Sequence, residues 1–551
     1  MKKVLSIVLA LCMVLAMGAF CANAEEAELA HVSVLGYDNN PNGAGGFTNR
    51  ENQAVWAAAK KLWNDAGIEI DFECIVDSDQ YKTTIQTRLA TQTDIPDMFY
   101  GGYTPVEDLL DMADNGLLTK VNDVMELSAG PAKDFWYGGF GDTARNLLSD
   151  PEGNWYWLPR IQLNQLNGEN AGTSIGMTIR LDWLNKLGLA VPTNLDEFTA
   201  AVRAFQENDM NGNGVKDEVI VEDASRFGCG INLWFGIPTC DGTSIGCNLT
   251  EDRVESAWYT PAIKEYFTYI NQMVNEGLIS SDFIGTDNSD SALLTNDQVS
   301  GEEYYPVGTY LEATMRAGNN PDAYLIGIMP FDAVEGVSGF YSEETPYLVY
   351  LRYCISGNAN LENVAKLLDV LYDDDCSLLM RWGVEGVNYE VNEDGTNHRL
   401  NAGQSANQMG EHGAATFNNF LKFLLPDYNY NERAEEISRT QEAGWVEKGE
   451  YEFATAGYKP LTPNDNTGYY ALATAEENEI IAEYSTDLET TSREIAAKLA
   501  LGEYSVDDMD TYIEELKEVG LDEILAVRQA QYARAKGYQS YEAMTSEMFN
   551  N

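Results

Sequence analysis

HVSVLG at 31–36, IEIDFECIV at 68–76 and IPDMFY at 95–100 are three short runs rich in apolar and β-branched residues. Between them, 51–66 and 81–91 carry helical spacing, with Val55, Ala58, Ala59 and Leu62 on one side of the first. A polar, glycine-rich turn covers 38–49, and Gly67 stands where a helix C-terminus wants a residue free to adopt positive φ. Strand, helix, strand, helix, strand predicts an open α/β sheet, and ligands bind such sheets beyond the carboxyl ends of their strands. The alternation continues downstream: Asn194 caps a helix predicted over 195–205. The last third is mainly helical, with helix spacing over 475–498, 506–517 and 522–536.

Outward from this core, the N-terminus reads as an export signal. Lys2 and Lys3 precede an apolar run over 4–20, and Ala22-Asn23-Ala24 gives a cleavage site, so 1–24 is expected to be removed. Phe20 before Cys21 departs from the small residue that lipid-anchored bacterial chains carry there. The expected address is extracytoplasmic, either periplasmic or at the cell surface. A chain of 551 residues is too long for one core and implies at least two lobes. Its formal net charge of −54 excludes nucleic acid as a partner, since that binding rests on Lys and Arg contacts to phosphate. The same charge favours a neutral ligand over an acidic one. Cys229, Cys240 and Cys247 cluster in sequence; an export address permits a bridge among them, and buried free thiols serve equally well. Only three histidines occur, His31, His398 and His412, which leaves little material for a histidine metal site or triad.

DMNGNGVKDE at 209–218 is the one contiguous motif with its own chemistry. Asp209, Asn211 and Asn213 fall at positions 1, 3 and 5 of a calcium loop, Gly214 at the turn, Val215 at the backbone-carbonyl position and Asp217 at position 9. Ile220 occupies position 12, where a bidentate glutamate is usual, and Glu218 is its replacement. An Asn/Gly-rich turn without metal is the alternative, because these residues suit left-handed backbone anyway.

Several segments in fixed order resemble the family 1 extracellular solute-binding proteins of ABC sugar importers. They are 83–100 with IPDMF, NGLLTKVNDVM at 115–125, GNWYWLP at 153–159, IRLDWLNKLGLAVPTNLDEF at 179–198, WGVEGVNY at 382–389, and 501–525. The resemblance spans nearly the whole chain. It implies an α/β, two-lobed periplasmic-binding-protein-like fold with hinge crossings and a helical C-terminal part. Lobe one is expected over 25–158, lobe two over 159–330, a return to lobe one over 331–374, and the remainder, 375–551, in lobe two. It also implies structural Ca2+ on Asp209, Asn211, Asn213, the Val215 carbonyl, Asp217 and Glu218. The implied partners are a small carbohydrate and the permease subunits of an ABC transporter, with the protein itself a monomer and not an enzyme.

Sugars are held by aromatic faces and by planar polar groups that take hydroxyls in pairs. The ligand candidates are therefore Tyr37, Asp38, Tyr103, Trp155, Trp157, Trp234, Tyr305, Arg352, Trp382, Glu385 and Tyr389. Trp63 and Trp183 sit in amphipathic patterns and are expected in the core. A peptide-binding importer subunit is the alternative within the same fold. A secreted glycoside hydrolase is the enzyme alternative, but among so many acids a carboxylate pair carries no information.

Overall fold

The computed structural model describes residues 29–38, 47–75, 77–102, 104–150, 152–162, 174–286, 290–304, 315, 318–343, 347–393, 397–400, 428–429, 461–463 and 469–548. The expected export signal, Tyr103 and Tyr305 lie outside them.

The opening alternation forms as read. The strand Ala30–Tyr37 pairs in parallel with Ile68–Ile75 on one side and Met98–Tyr100 on the other. Parallel neighbours require crossovers, and the helices Ala54–Asp65 and Ser78–Thr91 supply them. The first buries Val55, Trp56, Ala59 and Trp63, so its apolar face is rotated toward the tryptophans relative to the expected stripe. Trp56 and Trp63 meet edge to face at 5.8 Å. Gly67, at φ +80°, turns the chain into the next strand. Asp77 opens the second helix by accepting the Gln80 N–H at 2.7 Å.

Tyr347–Ile355 then joins this sheet antiparallel, wedged between Met98–Tyr100 and Trp157–Gln162, with Tyr428–Asn429 at the edge. A second six-stranded sheet runs Leu461–Pro463, Tyr341–Glu343, Ser174–Arg180, Val299–Tyr304, Val219–Val221, with Leu325–Gly327 also paired to Ser174–Arg180. Each sheet has its own apolar core. The fold is α/β and two-lobed.

The cores refine the expected lobe boundaries. Phe331 and Phe340 pack in the second core, and Tyr341–Glu343 belongs to the second sheet, so the return to lobe one begins at Tyr347 instead of 331. Cys376 and Met380 pack in the first core, beyond the expected end of that return. The physical reason is a strand at 341–343 that no periodicity in so short a run could reveal.

Helix Leu195–Glu207 starts at Asn194, whose side chain accepts the Glu197 N–H at 3.0 Å, and it buries Phe198, Ala201, Val202 and Phe205. The long helix Ala475–Leu501 opens with a reciprocal capping box between Thr474 and Glu477. It packs against Ile263–Asn275 and Leu521–Ala535, closing the second core with Ile495, Leu499, Leu521 and Ile524. Trp63 and Trp183 are buried, as expected. Among the described residues no helix is long and apolar enough to cross a membrane.

The clustered cysteines do not bridge: Cys229, Cys240 and Cys247 are all free, as are Cys74, Cys354 and Cys376. Cys229 sits within 3.4 Å of the Thr239 hydroxyl and 3.3 Å of that of Ser342, and Cys247 donates to the Tyr470 hydroxyl at 3.4 Å. Cys229 and Cys247 thus meet local hydroxyls, and Cys240 donates to the Pro238 carbonyl at 3.3 Å. Burial pushes Cys247 and Cys354 up to about 12.

Candidate functional site

A cavity of about 270 Å3 opens where elements of the first lobe face the C-terminal helices. Val106, Leu110, Leu147, Leu148 and Trp157 form its first-lobe wall, and Asp241, Tyr470, Arg528 and Gln531 face them from the other side. Arg352 and Glu107 complete the polar part on the first lobe. The volume is just under the roughly 300–1,000 Å3 of small-molecule sites.

Strand register explains why two of the sequence candidates meet here. Trp157 and Cys354 are paired across adjacent strands, and Arg352, two residues from Cys354, shares their face of the pleat. Its guanidinium lies 5.9 Å from the Trp157 ring centre and donates to the Thr104 carbonyl at 3.3 Å. Burial disfavours the cation, so Arg352 is held below the usual arginine value, though it stays charged at any ordinary pH. On the facing wall Arg528 is already matched: it donates to Asp241 at 3.0 Å and to Gln531 at 2.9 Å, and lies 5.2 Å from the Tyr470 ring. Gln531 in turn donates to the Ala471 carbonyl at 2.9 Å, locking its amide in place. Burial, with the nearby Cys247 and Asp241, pushes the Tyr470 phenol well up, so it remains a hydroxyl. The cavity thus offers two guanidinium groups, a carboxamide and a phenol, backed by the buried Trp157. That set suits a polyhydroxylated guest.

The other candidates are dispersed. Trp155 is fully buried against Trp136 at 4.6 Å, and Trp234 is sealed between Phe198 at 4.8 Å and Phe331 at 4.5 Å. Both are core residues, a correction that follows from the large apolar area each ring removes from water. Asp38 is also buried and caps the following turn, accepting the Phe47 N–H at 2.8 Å, while Tyr37 packs edge to face on Tyr81. Neither lines the cavity. Tyr389 is buried beside a short hairpin and Glu385 is exposed, both away from it. Trp382 ends the helix Asp374–Trp382, and its side chain lies outside the described residues. Sequence reasoning missed Asp241, Tyr470, Arg528 and Gln531. Only the helical spacing of 522–536, which puts Arg528 and Gln531 on neighbouring positions of one face, hinted at a shared role.

The 209–218 loop is a separate site on the second lobe. Asp209, Gly212 and Gly214 all take positive φ, at +45°, +75° and +83°. Asp209 accepts the N–H groups of Asn213 at 3.0 Å and Gly214 at 2.9 Å, and Asn213 accepts that of Val215 at 2.7 Å. Asp217 is gripped by the amides of Asn211 at 3.2 Å, Asn213 at 2.8 Å and Gln298 at 2.6 Å. Glu218 is fully buried; one oxygen accepts the Asn211 N–H at 3.3 Å, and the other has no hydrogen-bond partner. Burial pushes its carboxyl up. Among the described residues no three His, Cys, Asp or Glu side chains gather closely enough to hold a metal. The donor set nevertheless fits a hard cation: every ligand type is oxygen, and the orphaned Glu218 oxygen lacks the positive partner that a buried carboxylate needs.

No protein-family model matches the chain. Among curated proteins, the chain is 27% identical over 233 residues to the lipoprotein LipO of Bacillus subtilis, covering 39% of this chain and 44% of that one. The chain spans under half the length of the first two curated relatives it matches, 44% of each. It is 23% identical over 486 residues to the fructooligosaccharide ABC transporter substrate-binding protein FusA of Streptococcus pneumoniae, covering 86% of both chains. Among solved structures, an EF-hand mutant of the same FusA in complex with fructo-nystose superposes with a TM-score of 0.65 at 18% identity, over 92% of this chain and 100% of that one. The alginate-binding protein AlgQ2 without calcium ion gives 0.61 at 18%, over 92% and 99%. The fold is therefore shared with solute-binding proteins, and the resemblance read from the sequence agrees with these relatives.

Proposed function

We propose that this protein is the extracytoplasmic solute-binding subunit of an ABC importer, capturing a sugar or oligosaccharide between its lobes and handing it to the permease unaltered. The observation that carries this reading is the interlobe cavity, where Trp157 and Arg352 of one lobe face Tyr470, Arg528 and Gln531 packed on the other. Each wall holds part of the contact set, so a guest that touches both favours the closed arrangement, which is the differential affinity a hinge motion requires. Trp157 is only 1% exposed and packs in the first core, so it backs the wall and leaves the guest's direct contacts to the polar groups. The locked Gln531 amide and the Arg528–Asp241 pair fix hydroxyl positions without reorganising. Two relatives named for saccharides, FusA and AlgQ2, support the class of ligand.

The test is a thermal-shift panel of oligosaccharides and peptides on the full chain. Saccharides are expected to raise the melting temperature by mass action and peptides to leave it unchanged. A shift from peptides alone, or product formation from chromogenic glycosides, would replace the reading.

In this reading the 209–218 loop holds a structural Ca2+ through Asp209, Asn211, Asn213, the Val215 carbonyl, Asp217 and Glu218. The ion would supply the positive charge that the orphaned Glu218 oxygen lacks. The protein works as an exported monomer docking on permease subunits, with no role for nucleic acid.

A further inference from the structure

The polar side chains of the cavity are not equally served. Arg528 has its carboxylate, Asp241, at 3.0 Å, and Asp241 is further fixed by the Thr243 hydroxyl at 2.6 Å. Arg352 has no such partner among the described residues. Among the described residues its guanidinium meets one backbone carbonyl, Thr104 at 3.3 Å, and the distant face of Trp157. Glu107 also lines the cavity, but it is exposed and forms no ion pair with Arg352 among the described residues. A half-buried guanidinium with five donors and one acceptor is costly, because transfer from water is repaid only by an opposite charge with matching hydrogen bonds.

We propose that the guest carries a carboxylate, as a hexuronic-acid saccharide does, and that Arg352 pairs with it through its two-pronged guanidinium. This rests on the saccharide reading above and narrows it. The planar fork of arginine matches a carboxylate in two parallel hydrogen bonds, which a neutral hydroxyl cannot supply. The net charge of −54 points the other way, toward a neutral guest. Distance decides between them: at about 0.15 M ionic strength charges more than about 8 Å apart are screened, whereas a contact inside a cavity is not. Arg528 does not compete for the guest's charge, since Asp241 neutralises it. Burial lowers the proton affinity of Arg352, and the charge of the exposed Glu107 offsets it only in part.

The experiment uses calorimetric titration of the full chain with tetrasaccharides of galacturonate, mannuronate and glucuronate, each as free acid and as methyl ester. The ester keeps the ring, the linkage and the hydroxyls and removes only the charge. At least one free acid is expected to bind tenfold or more tighter than its ester, the scale of one charge-assisted bidentate pair (~1.4 kcal/mol per factor of ten). Arg352→Gln should bring acid and ester within about twofold of each other, and Arg352→Lys should restore part of the difference, because it returns the charge without the fork. Equal binding of acid and ester to the unaltered protein would overturn the assignment, and so would tight binding of neutral fructo- or gluco-oligosaccharides with none of any acid. Either result leaves the saccharide reading standing. Binding of no saccharide of either kind would remove both.

Discussion

The 209–218 loop and the interlobe cavity are opposite solutions to the problem of placing polar atoms. The loop is one decapeptide whose ligands are neighbours in sequence, held by hydrogen bonds within the loop and by Gln298. The cavity is assembled from segments near 106, 157, 241, 352, 470 and 528, and no two of its walls share an element. A contiguous site survives any change elsewhere that leaves its turn intact. A composite site exists only while both cores hold their surfaces in register. The loop should therefore respond to metal alone, and the cavity to any disturbance of the lobes.

The largest expected effect tests that dependence on the cores. Trp234→Ala should cost about 3–5 kcal/mol of stability, because a fully buried indole leaves a void between Phe198 and Phe331. Denaturant melts would measure it, and saccharide affinity should weaken along with stability as the second core shifts its side of the cavity. A weakened affinity with unchanged melting would instead return Trp234 to the guest's contacts.

Next comes the ion. Removing calcium with a chelator should lower stability by about 2.7 kcal/mol if the ion is supplied at a hundred times its dissociation constant. Calcium should restore it, and Asp209→Ala should abolish the response while leaving saccharide affinity intact. An identical melt for Asp209→Ala with and without chelator, at the wild-type temperature, would leave the loop a plain turn.

Tyr470→Phe is a finer cut at the cavity. It removes one hydroxyl and keeps the ring, so affinity for the guest should fall about fivefold, near 1 kcal/mol for one hydrogen bond, with little change in the unliganded melt. No change in affinity would assign the phenol to Cys247 alone.

The smallest effect is a surface baseline. Glu276 is held down to about 2 by hydrogen bonds from Arg203, which ties the end of helix Ile263–Asn275 to the helix that feeds the loop. A depressed carboxyl stabilises the fold above the unfolded value and loses that contribution as pH falls from about 4.5 toward 2. Both groups are about one-third or more exposed, so solvent screening keeps the effect below about 1 kcal/mol. Glu276→Gln should remove it from the acid arm of a pH–stability curve, and an effect as large as that of calcium would show that the loop is coupled to its supporting helices.

Legibility in the sequence followed the same division. The 31–100 alternation, the Asn194 cap and the C-terminal helices were readable because strand and helix periods are local. The 209–218 motif was readable because its residues are local too. Trp157 and Arg352 could be named as candidates because each lies on a strand near a lobe crossing. Asp241, Tyr470, Arg528 and Gln531 were not, because nothing nearby in the chain distinguishes them from other polar surface residues. Trp155 and Trp234 misled for the converse reason: an aromatic beside a crossing has the same letters whether it faces a guest or a core. The short strand Tyr341–Glu343 was invisible because three residues carry no period.

That no disulfide joins the six described cysteines has a consequence for how such a polypeptide comes of age. Cys354 and Cys376 are buried, Cys229 and Cys247 meet hydroxyls, Cys74 and Cys240 meet backbone carbonyls, and none is tied to another. If the chain is exported, as proposed, it can refold by collapse alone, without waiting for a helper enzyme to forge or shuffle bridges. Burial also pushes the thiols of Cys74, Cys240, Cys247 and Cys354 up, so an oxidant would find little thiolate at those four positions.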